Sequence, residues 1–127
     1  MDDLVRWLGE QLSVDEERAR ACAGNGEWAA ADIAIYGPDL APEVRAHMAA
    51  HDPARVLREI DAKRALIARG GPFCTSDCDE PGNEPKDPDT NWTTPLEHHF
   101  DCGAYKAAGV LAVVYADRPG YREEWRP

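Results

Sequence analysis

Nowhere in these 127 residues does an apolar run approach the roughly 20 residues a membrane-spanning helix needs, which excludes a helical membrane protein. The opening Met1-Asp2-Asp3 is acidic where a secretory signal is basic, so a soluble protein of the cytoplasm is expected. No glycine-rich phosphate loop is present, and no nucleophile-base pair, so the usual signatures of nucleotide binding and covalent catalysis are missing. Basic residues are scarce: 14 Lys and Arg stand against 24 Asp and Glu, a net charge of -10. A surface this acidic repels nucleic-acid phosphates and anionic lipid, which disfavours both as partners. Also missing are paired Cys-x-x-Cys knuckles, and a reducing compartment argues against reading the four cysteines as a disulfide framework.

What the chain does have is a cluster. Cys74 and Cys78 open a segment that His98, His99 and Cys102 close, and the residues between carry prolines and acids with nothing to bury. A long structureless loop in a small domain needs fixing at both ends, which paired metal ligands would do. Cys74, Cys78, His98 and Cys102 make three thiolates and one imidazole, a tetrahedral structural zinc shell with no open position. His99 is an alternative to His98, since only one histidine is needed. Competing readings are free thiols beside solvated histidines, and a Cys74–Cys78 disulfide. Cys22 stands apart on an apolar helix face and is expected to be a buried small hydrophobe.

The predicted fold is mainly α: a small helical domain over residues 1–127, with residues 72–102 as a zinc-stapled irregular loop within it. A first helix is capped by Asp2 or Asp3 and runs to about Ala23, with Leu4, Leu8, Leu12, Ala19 and Cys22 on one face. Ser13-Val14-Asp15-Glu16 matches a capping box at which that helix could divide. Glu27 to Tyr36, ahead of Gly37-Pro38, suits short strands or a small β-hairpin, although Ala29-Ala30-Ala31 favours helix equally. Pro42 begins a further helix, and Asp52-Pro53 starts an amphipathic one, with Val56, Ile60 and Ile67 inward, that Gly70-Gly71-Pro72 ends. Thr94-Pro95-Leu96-Glu97 is a capping box that would place His98, His99 and Cys102 in the first two turns of a last helix. Its inward stripe is expected to be Leu96, Phe100, Ala104, Ala107, Val110, Leu111 and Val114. Asp117-Arg118-Pro119-Gly120 turns the chain, and Tyr121 and Trp125 are expected to fold back onto the helices.

Two stretches, His51 to Arg64 and Tyr115 to Pro127, resemble an uncharacterised family of small actinobacterial and actinophage proteins. The resemblance implies a cytosolic host or phage setting and brings no catalytic or binding residues with it.

Three function classes follow. The first is a zinc-stabilised interaction or regulatory module. Asp77, Asp79, Glu80, Glu84, Asp87, Asp89, Glu97 and Asp101 against Lys86 place -7 between Phe73 and Asp101, which suits a basic protein partner or simple solvation. The second is a metal-dependent hydrolase using His98, His99 and Asp101, against which a closed thiolate shell argues. The third is a thiol switch in which oxidation of Cys74, Cys78 or Cys102 ejects zinc.

Overall fold

A computed structural model describes residues 2–22, 24–75, 78, 87–92 and 98–127. These contain α1 (Asp2–Arg20), α2 (Ala30–Tyr36), α3 (Pro42–Ala50), α4 (Pro53–Ile67) and α5 (Gly103–Ala112), with 3-10 turns at Val113–Tyr115 and Glu123–Trp125. No strand occurs among the described residues, so the protein is mainly α as the sequence suggests. Two compact units are formed, Leu12–Ala62 and the combination of Met1–Gln11 with Lys63–Pro127.

In the Leu12–Ala62 unit, α1 continues without a break past Ser13-Val14-Asp15-Glu16 to Arg20, burying Leu12 and Ala19. Asp52 organises the start of α4. Its Oδ1 accepts the Arg55 amide at 2.8 Å as an N-cap, and its Oδ2 accepts the Trp28 amide at 3.1 Å. These backbone bonds, Arg55 first and then Trp28, hold the Asp52 carboxyl below its ordinary range.

The expected strands between Glu27 and Tyr36 are absent, and Ala30–Tyr36 is helix. Alanine is the strongest helix former, and Asp32 Oδ2 accepts the Ala29 amide at 3.2 Å, closing the first turn. A strand would also need a pairing partner for its amides, whereas a helix satisfies its own. α2 packs on α3, and Ile33 is its one buried side chain.

In the other unit, Leu4, Trp7 and Leu8 of α1 and Ile67 of α4 are buried. The C-terminal tail folds back as expected: Trp7, Tyr121 and Trp125 form a three-ring cluster with centroids 5.5–5.9 Å apart. Trp7 Nε1 donates to the Pro119 carbonyl at 2.9 Å. Gly120 makes that turn possible, with φ of +89° and Trp7 Nε1 2.7 Å from where a Cβ would stand. Lys63 Nζ donates to the Tyr115 hydroxyl at 3.0 Å.

α5 departs from expectation twice. It begins at Gly103 with Cys102 as N-cap, and His98 and His99 precede it in irregular backbone, so the histidines do not lie on a helix. The capping box at Thr94-Pro95-Leu96-Glu97 falls outside the described residues. Its buried face is also not the stripe of large residues: Ala104, Ala108, Gly109 and Ala112 are buried, while Phe100, Val110 and Val114 are exposed. At Gly109 the tail approaches closely, since a Cβ there would stand 3.2 Å from the Trp125 carbonyl oxygen, while Ala104 packs with Cys78 and Cys102.

Candidate metal centre

Cys74, Cys78, His98 and Cys102 come together, with one donor atom from each lying within 4.8 Å of the others. Cys78 and Cys102 are fully buried and His98 nearly so, while Cys74 is half-buried. Three segments supply them: the turn after α4 gives Cys74 and Cys78, the irregular stretch before α5 gives His98, and the N-cap of α5 gives Cys102.

The spacing has chemical content. Cys74 Sγ and Cys102 Sγ are 3.6 Å apart, and His98 Nδ1 lies 3.6 Å from Cys102 Sγ and 3.8 Å from Cys74 Sγ. A tetrahedral ion with bonds of about 2.3 Å to sulfur and about 2.0 Å to nitrogen sets neighbouring donors about 3.5–3.8 Å apart. These three edges therefore match a tetrahedral shell, and the group can hold a metal ion.

The histidine is oriented for ligation. His98 Nε2 lies 2.8 Å from the carbonyl oxygen of Ile67. A carbonyl only accepts, so Nε2 carries a proton and Nδ1 faces the thiols, the nitrogen that would ligate a metal. Ile67 is the last residue of α4, and its carbonyl is one of those a helix terminus leaves without an internal partner. One contact thus satisfies the helix end and sets the tautomer.

The thiols differ in their surroundings. Burial pushes Cys78 up to about 11, against the lowering effect of the His99 amide, which donates to its Sγ at 3.4 Å. Burial would raise Cys102 too, but the amides of Tyr105, Thr75 and Ala104 outweigh it and bring Cys102 down to about 6. The Tyr105 and Ala104 amides belong to the first turn of α5 and the Thr75 amide to the cysteine turn, so both segments favour the Cys102 thiolate through backbone hydrogen bonding. A metal ion would displace the Cys78 proton and find Cys102 already poised as thiolate.

Local hydrogen bonds brace the frame. The Cys74 amide donates to the Gly71 carbonyl at 3.0 Å, and Thr75 Oγ1 accepts the Gly103 amide at 2.8 Å, tying the cysteine turn to the start of α5. The Ile67 carbonyl, the His99 amide and Thr75 are functional contacts that sequence reasoning missed. Two are backbone groups without any residue signature, and a lone threonine carries none either.

Of the other sequence candidates, His99 contributes its backbone amide rather than its ring, and Asp101 is exposed. Among the described residues no group of donors brings His98, His99 and Asp101 together. Cys22 stands outside the cluster as expected, but it is half-buried rather than buried and lies beyond the end of α1 at Arg20, its thiol donating to the Arg18 carbonyl at 3.6 Å. Of the acidic segment, Asp77, Asp79, Glu80, Glu84 and Glu97 lie outside the described residues. Asp87 nucleates a turn, Oδ1 accepting the Thr90 amide at 2.9 Å and the Asp89 amide at 2.8 Å. No helix among the described residues is long and apolar enough to cross a membrane.

The chain belongs to the DUF6221 family, described as a family of unknown function, whose model matches residues 1–127. No curated protein and no solved structure matches it.

Proposed function

We propose that Cys74, Cys78, His98 and Cys102 bind one zinc ion in a closed structural shell, and that the protein is a zinc-stabilised interaction module of the cytoplasm. The observation that carries this reading is the set of donor separations of 3.6–3.8 Å with His98 Nδ1 turned inward. Three sulfurs and one imidazole suit zinc, and four protein ligands leave no position for a substrate water, which favours a structural over a hydrolytic role. The zinc would join the C-terminal end of α4 to the N-terminal end of α5 and give the acidic segment a rigid base.

A basic protein is the partner class this module fits, with nucleic acid disfavoured by charge, in an actinobacterial or phage setting. The segment from Phe73 to Asp101 carries eight acids against Lys86, or -7.

Native mass spectrometry of the reduced protein tests the centre, with one zinc per chain expected. Cobalt substitution should give the intense visible bands of a tetrahedral thiolate site. Protein that carries no metal and binds none on titration overturns the reading. For the partner, salt-sensitive capture of a basic protein that is lost when Asp79, Glu80, Glu84 and Asp87 become amides is expected. Capture that survives those substitutions refutes it.

A second reading rests on the half-buried Cys74, the accessible thiol of the pair 3.6 Å apart. In it a peroxide oxidises the Cys74 and Cys102 thiolates to a disulfide, is itself reduced to water, and zinc leaves. Stoichiometric zinc release by peroxide, reversed by a dithiol reductant, is the expected result.

A further inference from the structure

The unit formed by Leu12–Ala62 contains a cleft of about 690 Å³, within the range of small-molecule sites, and the metal centre has no part in it. Trp28, Ile33, Tyr36 and Met48 supply an apolar and aromatic lining, and Glu27 and Asp32 supply carboxylates. No lysine, arginine or histidine among the described residues lines it. Among the described residues neither Glu27 nor Asp32 forms an ion pair; Glu27 Oε2 accepts the Asn25 side-chain amide at 3.4 Å and Asp32 Oδ2 the Ala29 amide at 3.2 Å, so each carboxylate meets neutral donors and no cation. The rim is also unusually bare: Tyr36 is 90% exposed and Ile35 76%, although α2 is only seven residues long and buries Ile33 alone.

We infer that this cleft binds a small organic cation, an ammonium group carried on an apolar body. Indole and phenol faces attract a cation through their negative quadrupole, and they attract a desolvated alkylammonium more than a strongly hydrated ion. The carboxylates complete the charge match, while Ile33 and the adaptable thioether of Met48 receive the apolar part. An anionic ligand would meet two like charges without a counterion. A neutral ligand would leave unused the one chemical feature that sets this cleft apart from an ordinary apolar one. The acidic chain as a whole, at -10, reinforces the preference.

The full chain as purified is titrated with benzyltrimethylammonium, with its uncharged isostere bearing carbon in place of nitrogen, and with benzoate. The indole N–H resonance of Trp28, assigned through Trp28→Phe, reports occupancy. The cation should give a saturable shift, the isostere should bind weaker by about tenfold or more, and benzoate should leave the resonance unmoved. Glu27→Gln with Asp32→Asn should weaken the cation by about tenfold and leave the isostere's affinity unchanged. The asparagine retains an oxygen for the Ala29 amide, and a well-dispersed spectrum shows that the variant is folded. Equal affinity for cation and isostere, indifference of the cation to the double variant, or a Trp28 resonance that does not respond in a folded chain each overturns the assignment. None of these outcomes depends on zinc.

Discussion

Replacing Cys78 by alanine, with and without a chelator, separates a metal from a merely well-packed thiol. Cys78 is fully buried among Cys102 and Ala104, so the substitution removes a sulfur from a packed site as well as a ligand. Losing one buried sulfur costs on the order of 1 kcal/mol whether or not metal is present. The metal adds a second contribution, because an ion that binds only the folded chain stabilises it by about 4 kcal/mol when free metal is roughly 1,000 times its dissociation constant. For a chain of this length each kcal/mol moves the thermal midpoint by about 3–5 °C, so with zinc the variant should melt about 15–25 °C below the parent. In excess chelator the parent should fall to within about 3–5 °C of the variant, since only the packing difference remains. Differential scanning calorimetry on the four samples closes the cycle. A gap of the same size with and without chelator would refute the metal and leave Cys78 as a core side chain.

The remaining expectations follow from single contacts. His99→Ala keeps the backbone amide that Cys78 accepts and should retain metal, whereas His98→Ala should lose it; equal zinc content in the two variants would contradict the assignment of Nδ1. Gly120→Ala places a Cβ 2.7 Å from Trp7 Nε1 at a φ of +89°, and chemical denaturation should show a loss of about 1–3 kcal/mol. The Tyr121 hydroxyl is buried without a partner among the described residues, so Tyr121→Phe should leave stability unchanged or raise it by about 1 kcal/mol. Asp52 is held below its ordinary range by the Arg55 and Trp28 amides, so its ionised form stabilises the fold. That contribution is complete above the unfolded value of about 4 and disappears as pH falls through the lower folded value. The urea midpoint of the parent should therefore converge on that of Asp52→Asn in acid, and a difference independent of pH would exclude this role.

Much of the architecture is legible without coordinates because it depends on local chemistry. Asp52-Pro53 reads as a helix start, since an aspartate can cap and a proline loses nothing at the first turn, and α4 begins there. Asp117-Arg118-Pro119-Gly120 reads as a turn because glycine alone tolerates its backbone angle, and the tail does reverse there. The grouping of Cys74, Cys78, His98 and Cys102 is legible too, since three cysteines and a histidine flank the same segment, and the fold brings the four together.

Tertiary structure decided what local chemistry leaves degenerate. Ala30–Tyr36 has β-branched and aromatic residues beside alanines, and the helix that forms, which satisfies its own amides, packs against α3. The start of the last helix is set by Cys102 and the Thr75 hydroxyl at Gly103, contacts between residues far apart in sequence. Hydrophobic periodicity favours Val110 and Val114 as inward residues, yet both are exposed, and Ala108, Gly109 and Ala112 are buried alongside the expected Ala104, with the Trp125 carbonyl approaching Gly109. Which histidine turns inward was likewise open until the carbonyl of Ile67 took one ring nitrogen, because residue type states what a side chain can bind and only the fold states what it faces.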